Sequence, residues 1–173
     1  MSVKIVESEP TTVITKKCIN ISKKFIKAMQ KYGIAFELVE QVTSEPQNDY
    51  ELIYGQRTLK EGSTYKIHGL ITVNPSEKVY KDMHLNAHGD AIIEFMTYSL
   101  QEVNFIGNTL LDYQTIPDKI LGYHVKAGND EYRIDECKAI NGVFQGFPLH
   151  MVLSLSYIDK PLYEDDKGLE SGD

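Results

Sequence analysis

Five histidines and two cysteines carry most of the chemistry that this 173-residue chain could support. His84 and His88 are four apart, with Asp82 and Asp90 close by. On a helix, such a pair could grip a metal ion from one face. The Glu that follows the first His of a metalloprotease helix is missing, because Leu85 stands there. Gly89 favours a turn, so a polar loop is the plainer expectation. Cys18 and Cys137 are far apart in sequence and are expected to be unlinked thiols in a reducing compartment. A nucleophile elbow, a phosphate-cradling Gly loop and a Cys–His zinc pattern are all missing from the sequence. No cofactor or metal is expected.

His68 with Thr72, and His150 with Ser154, make a second constellation. Each pair shares one side of a strand, since alternate residues point the same way. Two strands that each carry a His and a hydroxyl are similar to the two-histidine phosphoesterases, in which His-x-Thr or His-x-Ser grips one phosphate. Here Leu70 and Val152 stand at the middle of that spacing, so the hydroxyls are displaced from where the chemistry needs them. An enzyme of this kind is the alternative reading, and the expectation is a protein that is not an enzyme.

The elements that would position these residues are mainly strands. Leu121–Ala127, Glu131–Val143 and Leu149–Ile158 read as a meander, with Gly128-Asn129-Asp130 as its first turn. Tyr132, Ile134 and Glu136 alternate with Arg133, Asp135 and Cys137, so the two faces differ. In the last strand His150, Val152, Ser154, Ser156 and Ile158 form a half-polar set, which predicts that only the opposite face meets a core. Upstream, Thr64–Val73 and Ala91–Val103 read as strands, the latter through Ile92, Ile93, Phe95 and Tyr98. Tyr50–Thr58 is a further strand candidate, Lys60–Ser63 a turn, and Asn104–Lys119 irregular. Met1–Pro10 holds a short alternation of Val3 and Ile5.

Ahead of these strands, Lys16–Tyr32 reads as a helix that Thr11, Thr12 or Thr15 can cap. Cys18, Ile21, Phe25, Ala28, Met29 and Tyr32 fall on one stripe, predicting the core-facing side. Lys23, Lys24, Lys27 and Lys31 form the outer face, and Gly33 is placed to end the helix in a left-handed conformation. Ile34, Phe36 and Leu38 then alternate as a strand. The predicted organisation is an N-terminal segment over 1–48, a β-barrel-like or sandwich-like domain over 49–160, and an acidic tail over 161–173.

A net charge of −7 argues against tight binding to a phosphate backbone, which needs clustered Lys and Arg. No apolar run is long enough to span a bilayer. Met1–Pro10 lacks a basic region followed by an apolar stretch, so no signal peptide is expected. With 42% hydrophobic residues, the chain can bury a core without disulfides or a structural metal.

The order of segments resembles that of the small head–tail joining proteins of tailed bacteriophages, the stoppers or head-completion proteins of the neck. The residues that carry the resemblance are STYKIHGLITVNPSE (63–77), GDAIIEFMTYSL (89–100) and LGYHVKAGNDEYRIDECKAINGVFQGFPLHMVLSLSY (121–157). It covers about two thirds of the chain, and the helix at 16–32 lies outside the simplest form of the pattern, which leaves a tail-terminator role as a variant. The resemblance implies a small β-barrel with a long inserted loop, and a structural virion protein that assembles as a homo-oligomeric ring. Its partners would be the portal or adaptor and the tail proteins. Double-stranded DNA would pass through the ring without sequence-specific binding, and no membrane is involved. The implied location is the virion, and the host cytoplasm during assembly.

The same resemblance marks NPSEKVYKDMHLNAHG (74–89) as the inserted loop, a subunit contact or channel loop through Val79, Tyr80, Met83, His84, Leu85 and His88. Its apolar residues have no evident partner within the chain, which predicts a loop that orders only on assembly and can be deleted over Val79–Ala87 without unfolding the domain. The predicted core is Phe25, Ile67, Phe95, Ile134, Leu153 and Leu155.

Overall fold

In a computed structural model the chain closes into a six-stranded antiparallel β-barrel in the order β1-β2-β3-β6-β5-β4. The structure describes residues 12–43, 49, 53 and 59–158. Helix α1 (Lys16–Tyr32) leads into β1 (Ile34–Thr43), and β2 (Leu59–Val73) returns beside it. Helix α2 (Glu77–Asp82) precedes β3 (Ala91–Met96). Short helices α3 (Thr97–Glu102), α4 (Leu110–Gln114) and α5 (Ile116–Ile120) follow, then β4 (Tyr123–Ala127), β5 (Asp130–Ala139) and β6 (His150–Tyr157). The mainly β fold with an N-terminal helix is the architecture that the alternating strands predict. β1 lies within the expected N-terminal segment and supplies the stave between β2 and β4. The predicted strand at 3–5, most of Tyr50–Thr58 and the acidic tail lie outside the described residues.

The barrel interior is built by alternate residues of every stave. Phe36, Leu38, Ile67, Ile93, Phe95, Val125, Ile134, Leu153 and Leu155 are all buried, and Phe36 meets Phe95 edge-on at 6.3 Å. Five of the six predicted core residues are therefore in place. Phe25 is the exception and stands in solvent.

The reason for that exception is the roll of α1. The helix has the predicted bounds, and Thr15 Oγ1 accepts from the Cys18 backbone N–H. It buries Cys18, Ser22, Ile26 and Met29 rather than the whole predicted stripe, so Phe25 and Tyr32 face outward. Gly33 sets the roll by close approach. A Cβ on it would meet the Gly69 carbonyl oxygen at 2.1 Å and the Met29 carbonyl oxygen at 2.6 Å. Its backbone is extended, at φ −99°, and not left-handed as predicted. Glycine is needed here for space between helix and strand rather than for a positive φ.

Two β-bulges correct the strand reading. Lys60–Ser63 is not a turn but part of β2, and the register against β1 slips between Val39 and Gln41, where the Ser63 N–H donates to Glu40 Oε2 at 3.1 Å. In β5 the register slips after Ile134. A bulge shifts the side-chain alternation by one residue, so Glu136 turns outward and Cys137 turns in beside Met151, Sγ to Sδ 3.7 Å. Strict alternation would have put the carboxylate in the barrel.

Other boundaries shift. β3 stops at Met96, where the Thr97 hydroxyl donates to the Pro148 carbonyl at 2.8 Å, and Tyr98 lies on α3. The predicted irregular stretch 104–119 holds α4, with a Thr109–Asp112 capping box, and α5. β5 ends at Ala139 because Asn141 and Gly142 both take positive φ.

Cys18 and Cys137 are unlinked, as predicted. Burial, and secondarily the Glu136 charge, pushes the Cys137 thiol up to about 12. The thiolate is the reacting species, so Cys137 should resist iodoacetamide at pH 8 in the native protein and react once the protein is denatured. Mass spectrometry of protein labelled before and after denaturation checks this.

Candidate functional site

The segment expected to be a free loop is a flap folded onto the barrel's outer wall. Tyr80 and Leu85 are buried and pack with Ile92, Ile140 and Val152, while Val79 and Met83 are half-buried against the same cluster. The Tyr80 hydroxyl donates to the Gly89 carbonyl at 2.6 Å, and its ring stacks on His88 with centroids 4.6 Å apart. The backbone N–H groups of Asn86 and Ala87 both donate to Glu136 Oε2 at 2.8 Å. Ser154 Oγ donates to the Ala87 carbonyl at 2.7 Å, and Lys138 Nζ to the His84 carbonyl at 2.6 Å. This overturns the expectation of a loop without partners. The predicted polar face of β6 is covered too: Val152 and Ser154 are as buried as the residues facing the interior. The bulge that turns Glu136 outward is what supplies the flap's anion.

The flap's edge makes one wall of a polar cleft of about 440 Å³, lined by Asp82, Met83 and His84 on one side and by Ala139–Gly142 on the other. Glu94 forms part of its lining. His84 holds a positive φ of 54° just after α2. Beside the cleft stands His150, its Nε2 3.6 Å from Glu94 Oε1 and its Nδ1 3.2 Å from Asn141 Nδ2. An amide Nδ2 only donates, so Nδ1 accepts and the imidazole proton sits on Nε2, too far from Glu94 for a good hydrogen bond. Burial lowers the His150 pKa and raises that of Glu94. Both groups therefore lean toward their neutral forms.

The signs of these two shifts are opposite in effect. For His150 the unfolded chain binds the proton more readily, so its contribution to stability holds above the ordinary imidazole pKa of 6.5 and is lost as pH falls below it. For Glu94 the folded chain binds the proton more readily, so stability is lost as pH rises from 4.5 through the raised value. Glu94→Gln should therefore be more stable than the parent at pH 8, with the difference shrinking toward pH 4.5. Urea denaturation at the two pH values measures it.

The sequence pairs do not converge. His84 lies at the rim of the polar cleft, but His88 is held on Tyr80 instead of joining it in a metal grip. His68 lines a different pocket, with Ile26, Gln30, Ser99 and Glu102, so His68 and His150 do not share a cleft. Among the described residues no three His, Cys, Asp or Glu side chains are grouped to hold a metal. The polar cleft's lining includes no hydroxyl or thiol. At the cleft's edge, Glu94 and His150 are near enough to pass a proton between them. Glu94 was overlooked in the sequence because Ala91–Met96 reads as apolar, although a lone carboxylate at an outward-facing position of a strand is a visible signal.

Below His150, an apolar groove of about 260 Å³ runs between α1 and the β5–β6 connection, lined chiefly by Ile21, Phe25, Met96, Val143, Phe144 and Leu149. At the other end of the first hairpin, β4 pairs with β1 only over Glu37–Glu40, whereas the β1–β2 ladder continues to Thr43 and Leu59. Gln41–Thr43 and Leu59–Glu61 thus form a two-stranded ribbon that outruns β4.

Comparison with known proteins finds no matching family model, no matching curated protein and no matching solved structure. No helix among the described residues is long and apolar enough to cross a membrane.

Proposed function

We propose that this chain is a structural subunit of the neck of a tailed bacteriophage, forming a homo-oligomeric ring that joins portal or adaptor to tail around the DNA channel. The ribbon beyond the barrel carries this reading. A two-stranded ribbon is marginal alone in water, and its free edge is a surface for a neighbouring chain. A ring subunit needs such a reaching element. The closed barrel agrees with the architecture that the resemblance implies, and the net negative charge suits a wall that DNA slides past without sticking. In this reading the flap presents Asp82, His84 and His88, all solvent-facing, to the lumen or to the next ring.

Immunoelectron microscopy of particles from the phage that encodes the chain tests the proposal. The expected result is label confined to the head–tail junction, and filled but tailless heads when the gene is disrupted. Particles that lack the chain altogether overturn it.

A further inference from the structure

The helix stripe that the barrel does not use is the starting point. Ile21, Phe25, Ala28 and Tyr32 recur at helical spacing on one side of α1, and the barrel buries a different side. Phe25 is 55% exposed and Tyr32 74%. Across the groove Val143 is 61% exposed. The whole helix is basic, with Lys16, Lys17, Lys23, Lys24, Lys27 and Lys31 and not one acidic residue, in a chain that is acidic overall. Lys17 lies over the Phe144 ring at 5.5 Å, at the groove's edge. The surface left open is therefore an apolar groove bordered by positive charge. An occupant that fits must be apolar and acidic together.

A stretch within the first hairpin has that composition. The connection between the two ribbon strands contains Asp49-Tyr50-Glu51-Leu52-Ile53-Tyr54, and Ile53 is 73% exposed. The ribbon and the groove lie toward opposite ends of the first hairpin. The groove adjoins Met96 and His150, which pair at one end of the β3–β6 ladder. Extending the Leu70–Glu94 register puts that end level with His68 and hence with Ala35. The ribbon begins beyond Glu40 and runs to Thr43, about 26 Å from Ala35 at strand rise. A groove at one end and, at the other, the ribbon whose strands this stretch joins make a head-to-tail arrangement, which closes into a ring when the rotation allows.

We infer that the groove between α1 and the β5–β6 connection receives the Asp49–Tyr54 segment of a second copy of this chain. Leu52 and Ile53 fill the apolar floor beside Phe25 and Val143, and Asp49 and Glu51 face Lys17 and Lys24. This contact rests on the ring reading for its biological setting, but as a physical interface it can be tested alone.

The test uses the full chain, with Phe25→Asp to spoil the groove and Ile53→Asp to spoil the segment. Both positions are exposed, so both variants should melt with the parent. A fluorescent peptide of residues 45–58 should bind the parent, bind Phe25→Asp at least tenfold more weakly, and bind the parent less tightly as salt rises. Mixed at equal concentration, the two variants retain one intact groove and one intact segment between them. They should form a one-to-one dimer by analytical ultracentrifugation, and neither variant should self-associate. Equal peptide binding by parent and Phe25→Asp overturns the inference, as does a mixture that stays monomeric. Peptide binding that appears only when the groove's own chain carries Ile53→Asp would place the contact within one chain and also overturns it. Pairing without any label on virions would leave this contact standing and remove the neck reading. Labelled necks without pairing would do the reverse.

Discussion

Deleting Val79–Ala87 should unfold the protein or lower its stability severely, and Tyr80→Ala alone should cost about 3 kcal/mol or more. The flap is part of the core by every physical measure. Tyr80 is 3% exposed and its ring fills the space over Ile92 and Val152. Truncating an aromatic side chain in such a place removes both its transfer energy and the packing of its neighbours. The deletion additionally takes away the backbone donors that satisfy Glu136 and the carbonyl that accepts from Ser154, and a buried polar group stripped of its partner is costly. Tyr80→Phe separates the terms. It keeps the ring and loses only the bond to the Gly89 carbonyl, so it should cost about 1 kcal/mol. Urea denaturation of the three variants measures the series. A Tyr80→Ala protein as stable as its parent would mean that the flap does not rest on the wall.

Leu153→Ala should lower the unfolding free energy by about 2–5 kcal/mol, as large-to-small changes in a closed core do. Leu153 is fully buried in the barrel interior, paired across the sheet with Ile93 on one side and Cys137 on the other. The staves are hydrogen-bonded all round, so the wall cannot easily collapse into the space left behind. The cost should therefore exceed that of Val152→Ala, which removes less volume from the outer cluster under the flap. A melting shift near zero for Leu153→Ala would invert the assignment of the two faces of β6.

The two helix stripes show why sequence pattern alone misplaced Phe25. Both Cys18-Ser22-Ile26-Met29 and Ile21-Phe25-Ala28-Tyr32 have helical spacing. The second is richer in aromatics and so looks like the better core. What decides between them is the approach of Gly33 to the Gly69 carbonyl, a contact between residues 36 apart that no local periodicity encodes. The flap was misjudged for a similar reason. Val79, Tyr80 and Leu85 are too few and too irregularly spaced to announce a core element, and their partners on β3, β6 and the β5–β6 connection are set by the sheet order.

Local physical chemistry in the sequence was enough for the mainly β class, the bounds of α1 and a threonine cap ahead of it, the turn before β5, the unlinked cysteines and five of the six core positions named from it. These depend on periodicity, capping and turn preferences that act over a few residues. The roll of α1, the closure of six staves with β1 between β2 and β4, the outward turn of Glu136 and the meeting of Glu94 with His150 depend on register. Register is settled when strands distant in sequence pair and a bulge shifts their alternation by one residue, so only the tertiary structure could decide which side chains line the cleft and which stripe of the helix stays open.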